Sequence, residues 1–368
     1  MALSPPVDRL LVYRPGALGD FILALPALAA LQAAFPTTAL TVIGPAAALP
    51  LARAAGLRAD LLPADDSCLT PLFAAPAAAA DGAAMAGTLP PVLRPTRAVV
   101  WAGAAAAPLV ARLRALGAAP VVHAASRPPP AARQHAADYL VTTLQPLGVP
   151  AVTPAVPRLC PGPDAAAAAA AFLAQQDPPP HGWLALHPGS GSPRKNWPVA
   201  QFAAAAGALA GWGLRPLLIV GPAEEPLAEA ALAALHPLRP VLVRNWPLEA
   251  LAALLAQCAG YIGGDSGITH LAAAVGTPVV AVFGPTDPAV WAPRGPRVTI
   301  IRRPVPCQPC SWEAMWRCPH RACLTTLAAE AVVAAAVRCF GLEALDGAGP
   351  VERAHSLGPA GRSSPPQG

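Results

Sequence analysis

The stretch Tyr261-Ile262-Gly263-Gly264-Asp265-Ser266-Gly267-Ile268-Thr269-His270 runs into the apolar segment Leu271 to Val275 and then Gly276-Thr277-Pro278. It reads as a short strand ending in two glycines, a turn through Asp265 and Ser266, and a helix whose first turn carries Gly267, Thr269 and His270. The unpaired N–H groups and dipole of a helix start attract phosphate, and glycines let a backbone come close to it. Ser266 and His270 are four residues apart, so both can lean over the same helix end and add donors. A diphosphate fits such a site. The plainer reading of the same residues is an N-cap at Asp265 or Ser266 and a buried helix histidine at His270.

A second segment favours the anion site. Leu184-Ala185-Leu186-His187-Pro188 reads as a buried strand, and it enters Gly189-Ser190-Gly191-Ser192-Pro193-Arg194-Lys195-Asn196-Trp197-Pro198 before a helix begins near Val199. Small residues followed by Arg194 and Lys195 at the carboxyl end of a strand make a loop that can wrap phosphates and supply positive charge. The third segment is Leu10-Leu11-Val12-Tyr13-Arg14-Pro15-Gly16-Ala17-Leu18-Gly19-Asp20, followed by helical apolar spacing from Phe21 to Phe35. A carboxylate just after a glycine turn, where a first strand gives way to a first helix, lies at the crevice outside the strand ends. Asp20 is therefore placed either to do chemistry or to cap that helix.

Working outward, apolar strand-like runs alternate with helix-like stretches in both halves, the pattern of parallel sheets covered by helices. In the first half, strands are expected near Leu10–Tyr13, Leu40–Ile43, Ala98–Trp101 and Pro120–His123, with a helix around Gln134–Leu147. In the second, they are expected near Trp183–His187, Leu217–Val220, Pro240–Val243, Gly260–Gly263 and Val279–Phe283. Residues 63–96, rich in alanine and proline, suggest an insertion over the acceptor face, and the proline-rich 148–163 an interdomain linker. A helix at 165–176 opens the second half and another at 326–340 closes it; in folds of this kind such a last helix often packs back toward the first domain. The domains expected are 1–155 and 156–342, with a disordered tail over 343–368, Gly-, Pro- and Ser-rich from Asp346 onward.

Taken together, three motifs and a fourth resemble the heptosyltransferases of glycosyltransferase family 9, which add heptose to the lipopolysaccharide core. They are Arg14 to Asp20 with the following Leu-Pro-Ala-Leu, His187 to Pro198, Gly264 to His270, and Phe283-Gly-Pro-Thr-Asp-Pro288, in the family's order from about residue 9 to about residue 340. The resemblance implies a GT-B fold, two doubly wound domains facing a central cleft. It implies inverting transfer of a heptose from an ADP-sugar to a lipid-linked glycan, with Asp20 as base for the acceptor hydroxyl. Lys195, the helix start at Ser266-Gly267 and the side chains of Ser190, Thr269 and His270 would hold the leaving diphosphate, with Asp265 in the same loop. Glu224 or Glu225 would bind the ribose, by analogy with the acidic residue of nucleotide folds. Many sugar transferases hold a metal on Asp-x-Asp. None occurs anywhere in this chain, so the reaction is expected to be metal-independent and without cofactor. A relative using another nucleotide sugar or acceptor, or a nucleotide-binding protein without catalysis, remains an alternative. A nicotinamide enzyme is disfavoured because no Gly-x-Gly-x-x-Gly opens either half.

The 368 residues are enough for two domains. Only 12% are charged and 49 are proline, which points to a compositional bias more than to a membrane protein. No uninterrupted apolar run reaches the ~20 residues of a spanning helix, and Met1 to Asp8 lacks the basic start and apolar core of a signal peptide. A cytoplasmic location is expected. The net charge of +5 is spread out and does not indicate nucleic acid. Arg294, Arg297, Arg302, Arg303, Arg317 and Arg321 nonetheless make one region basic, and it could meet an anionic headgroup at the inner membrane face or a phosphorylated acceptor. Within it, Cys307-x2-Cys310-x7-Cys318-x4-Cys323 beside His320 permits a tetrahedral zinc site or a set of packed free thiols.

Overall fold

The computed structural model describes residues 8–73, 89–151 and 153–345. The tail over 346–368 and residues 74–88 of the proposed insertion lie outside the described residues. One sheet contains β1 (Arg9–Tyr13), β2 (Ala39–Gly44), β3 (Ala59–Pro63), β4 (Arg97–Trp101) and β5 (Val121–Ala124), all parallel, in the order β3-β2-β1-β4-β5. The other contains β6 (Trp183–His187), β7 (Arg215–Val220), β8 (Val241–Arg244), β9 (Gly260–Gly264), β10 (Val279–Phe283) and β11 (Val298–Arg302), also parallel, in the order β11-β10-β9-β6-β7-β8. The expected strands form, and β3 and β11 are additional. Both are half-buried edge strands without a continuous apolar run, so periodicity passes over them. The central strands are apolar on both faces because helices cover both; Leu10, Leu11 and Val12, for example, are fully buried.

Each sheet reverses its winding beside its first strand, at β1/β4 and at β6/β9, and the crevice of a doubly wound sheet opens at that reversal. All three sequence motifs therefore lie at carboxyl strand ends. The helix Leu18–Ala34 follows β1 and the helix Gly267–Ala274 follows β9, and these two helices pack against each other across the domain boundary. Their contact is close at its N-terminal end: a Cβ on Gly267 would lie 2.7 Å from Leu18 Cβ and 2.9 Å from the Gly19 nitrogen. Leu271, Ala272 and Ala273 share one buried cluster with Phe21, Leu25 and Leu28, so the apolar core is continuous between the two sheets.

Polar contacts fix the same boundary farther out. Arg294 from the second half grips Asp138 with two bonds of 2.5 and 2.7 Å, and His135 Nε2 bonds the Ala292 carbonyl at 2.9 Å. Leu159 and Cys160, in the expected linker, donate backbone bonds to Ala274 and Ala54, which ties that segment to both halves. The last helix, Ala329–Phe340, departs from expectation. It packs on β9, β10, β11 and the helix Val199–Ala210, with Phe340 against Gly260, and so completes the second sheet's own cover. Its buried residues Val332, Ala335, Ala336 and Phe340 leave it one apolar stripe, and the second sheet takes it. Among the described residues no helix is long and apolar enough to cross a membrane.

Gly267→Ala should force the two helix starts apart. We expect a loss of about 1–3 kcal/mol in unfolding free energy, the usual cost of overpacking a filled site, measured by denaturant titration. A variant as stable as the parent would show that the helix contact is looser than described.

Candidate active site

The second domain's crevice opens between β6 and β9, whose ends are aligned with His187 beside Gly263. Ser266 has extended backbone angles and caps the helix Gly267–Ala274, its Oγ accepting from the Thr269 N–H at 3.3 Å. The N–H groups of a helix's first turn have no partner within the helix. Here that turn opens on a cavity of about 660 Å³, with Ser266, Gly267 and Ile268 in the wall.

Beneath the helix start runs a buried polar chain. Ser266 Oγ is 3.3 Å from His187 Nδ1, and His187 Nε2 is 3.4 Å from Glu224 Oε2. Glu224 also accepts from the Gly221 N–H at 3.0 Å. Burial pushes its carboxyl pKa up, but His187 and the backbone donors outweigh that and hold it below the ordinary value, so Glu224 is a carboxylate. Gly189 is required above it: a Cβ there would meet Glu224 Cγ at 2.0 Å. The choice between the two glutamates is thus made by packing. Glu224 lines the cavity, whereas Glu225 faces Asn245 and Arg244 at the surface.

Lys195 reaches across from the other loop. Its Nζ donates to the Asp265 carbonyl and to Asp265 Oδ2, both at 3.0 Å, so a cation sits beside the helix start. Ser190, buried in the cavity wall, donates to the Ser192 carbonyl or Asn196 Oδ1 at 2.7 Å and so shapes the small-residue loop. Farther in, Ile219, Val243, Trp246, Leu248 and Leu251 make the wall mostly apolar, suitable for the flat faces of a nucleobase.

The first domain closes the cavity with Ala17, Leu18, Gly19, Ala47 and Pro50. Asp20 follows directly, in the first turn of its helix and 34% exposed. Its Oδ2 accepts from the Ala17 N–H at 3.3 Å and its Oδ1 lies 3.3 Å from the buried Arg14 guanidinium, which also bonds the Asp20 carbonyl. Asp20 therefore does take part in starting the helix, but both contacts are long and leave lone pairs open to solvent.

Two residues expected to face the diphosphate face inward. Thr269 is fully buried, its Oγ1 bonded to the Gly264 carbonyl at 2.5 Å and to the Tyr261 hydroxyl at 2.9 Å. His270 is 5% exposed, packs on Gly19, and has an Nδ1 with no partner among the described residues. Burial above all pushes its pKa down to about 4, against the opposing fields of Asp265 and Asp20, so the ring is neutral and fills the seam between the helices. His187 and Arg14 carry no site role in the sequence reading; the structure sets them against Ser266, Glu224 and Asp20. A His closing a buried strand ahead of a Gly-rich loop, and an Arg doing so ahead of Pro-Gly, were the available signals.

Among the described residues all eight cysteines are free, and no three metal-capable side chains gather closely enough to hold an ion. Cys307, Cys310, Cys318 and Cys323 instead line a cavity of about 300 Å³ with Val305 and Met315. Burial, then the neighbouring thiols, push Cys310 up to about 11, so it is protonated at neutral pH.

The sequence profile of glycosyltransferase family 9 (heptosyltransferase) matches residues 125–315, more than half of the chain. The chain is 35% identical over 114 residues to lipooligosaccharide heptosyltransferase 2 of Haemophilus influenzae, covering 30% of this chain and 33% of that one. It is 31% identical over 114 residues to lipopolysaccharide heptosyltransferase 2 of Escherichia coli, with the same coverage. The match thus spans about a third of the length of these curated relatives. In fold, it resembles a family 9 glycosyltransferase from Veillonella parvula, with a TM-score of 0.73 at 19% identity over 92% of this chain and 99% of that one. It also resembles an E. coli heptosyltransferase solved with ADP, with a TM-score of 0.62 at 21% identity over 90% and 99%.

A His270 pKa near 4 in the folded chain, against 6.5 when unfolded, means that the folded state resists protonation. Its contribution to stability is complete above about pH 6.5 and is lost as pH falls from there toward 4. Its imidazole NMR signals should therefore stay in the neutral form from pH 8 down to 5. A midpoint above pH 6 would contradict the burial.

Proposed function

This chain belongs to glycosyltransferase family 9, and from that premise we propose that it transfers a heptose from ADP-heptose to a hydroxyl of the lipopolysaccharide core or a related lipid-linked glycan. The observation that carries this reading is the single cavity in which a carboxylate, an apolar wall and a helix start from the second domain meet the Asp20 turn of the first. The adenine lies against Trp246 and Leu248, the ribose hydroxyls bond Glu224, and the diphosphate rests on the N–H groups after Ser266 with Lys195 and Ser190 alongside.

In the reaction, Asp20 takes the proton of the acceptor hydroxyl as that oxygen bonds the anomeric carbon. The bond from that carbon to the diphosphate oxygen breaks on the opposite face, so the configuration inverts. The developing negative charge is met by Lys195 and by the helix start, fixed donors that need no reorganisation during the step. Asp265 keeps Lys195 in position, and the chain has no Asp-x-Asp to hold a metal at this point. The lipid-linked acceptor places the enzyme in the cytoplasm at the inner membrane face.

Calorimetry should find ADP bound in preference to UDP and GDP. Lys195→Ala should weaken ADP by roughly tenfold or more, the equivalent of a charge-assisted bond of about 1.5–3 kcal/mol. Equal binding of all three nucleotides, or an unchanged affinity in the variant, would refute the placement of the donor.

Asp20→Asn keeps the shape of the turn. Transfer should fall by about 10²-fold or more while ADP affinity stays close to the parent's, since a general base acts only in the chemical step. Near-normal turnover would reduce Asp20 to a helix-starting residue.

A further inference from the structure

Between residues 288 and 329 there are six arginines and one carboxylate, Glu313. Two of the six are occupied inside the fold: Arg294 holds Asp138, and Arg321 donates to the carbonyls of Pro193 and Asn196. The other four, Arg297, Arg302, Arg303 and Arg317, are exposed, Arg317 in a 3.0 Å surface pair with Glu313. In their midst the short helix Trp312–Arg317 presents Trp312 and Trp316, which are 66% and 42% exposed. With Phe73 these are the exposed large apolar side chains among the described residues. Their rings touch edge to face at 5.6 Å, forming one apolar patch.

The helix is anchored, and the patch is outside its anchor. Met315 turns inward into the thiol-lined cavity, while neither tryptophan lines it. The loop carrying the helix hangs from the carboxyl end of β10 through Gln308 to the Gly284 carbonyl at 2.5 Å and Cys310 to the Pro285 carbonyl at 2.8 Å. It is also tied to the donor loop. Arg194, next to Lys195, bonds the Cys318 carbonyl at 3.0 Å and lies over the Trp316 ring at 5.9 Å. The patch therefore stands on the same edge of the sheet as the cleft.

We propose that Trp312 and Trp316, flanked by Arg302, Arg303 and Arg317, form a docking surface for an anionic phospholipid bilayer. Tryptophan favours the headgroup boundary, where its ring is apolar and its N–H can be wet. Arginines close to an anionic leaflet add attraction that decays over a Debye length, and a weak apolar anchor together with a basic cluster is the usual pairing for reversible attachment. The proposal rests on the reading that the acceptor is lipid-linked: docking on this edge would bring the cleft to the headgroup level where such an acceptor is anchored.

The test is co-sedimentation of the full chain with phosphatidylcholine vesicles, with and without 30% phosphatidylglycerol, together with ADP calorimetry as a check on folding. We expect binding to the anionic vesicles that weakens steeply with salt. Trp312→Ala with Trp316→Ala should reduce it at least tenfold, and Arg302→Gln, Arg303→Gln or Arg317→Gln by roughly fivefold each, with ADP affinity unchanged. No binding, binding equal on both vesicles, unaltered binding in the variants, or displacement by a soluble phosphorylated oligosaccharide would overturn the proposal. Transfer from ADP-heptose to a deacylated, water-soluble acceptor separates the two readings. If that transfer runs while vesicle binding fails, the surface is wrong and the enzyme assignment stands; if it fails while binding follows the expected pattern, the surface stands alone.

Discussion

Two helix starts meet at Gly19 and Gly267, and the site depends on that contact. Any side chain at Gly267 would collide with Leu18, so only hydrogen there lets the two first turns come together. The contact brings the one helix end that attracts anions next to the one that carries a solvent-accessible carboxylate. The two helix ends come from different domains, and their separation is set by backbone packing instead of by flexible side chains. His270 completes the seam as a neutral ring.

Around the contact, the polar groups are arranged so that each is held by a polar neighbour. His187 stands between Ser266 and Glu224, Asp265 holds Lys195, and Arg14 steadies Asp20. In a buried setting such partners matter because an unpaired polar atom is costly and a mobile one is poorly aimed. A mostly apolar wall completes the cavity.

The same packing explains why the cysteine spacing was ambiguous. A two-residue gap between Cys307 and Cys310 is compatible with a zinc knuckle, but ligand spacing along a chain does not determine how the four thiols are arranged. Here the loop is spent on supporting the helix Trp312–Arg317 and on carbonyl bonds from Arg194 and Arg321, and the thiols line a small cavity. The basic region was likewise legible as composition only. In the fold Arg294 is held by Asp138 at the domain boundary, whereas Arg297, Arg302, Arg303 and Arg317 are exposed.

The sequence by itself determined the parallel α/β class, the strands with continuous apolar runs, and the three loops at the carboxyl strand ends, because these depend on short-range rules: burial pattern, glycine turns and helix starts. Asp20, Lys195, Ser190 and Ser266 stand in those loops. Only the tertiary structure decided what depends on distant neighbours. It separated Glu224 from Glu225, since Gly189 and His187 come to one and Asn245 and Arg244 to the other. It turned Thr269 and His270 inward, because a helix position three or four residues from a cap faces the cleft or the partner helix according to how the domains meet. It added β3 and β11, edge strands stabilised by a single neighbour, and sent the last helix to the second sheet. Each of these follows from contacts between residues far apart in the chain, and local sequence carries no record of them.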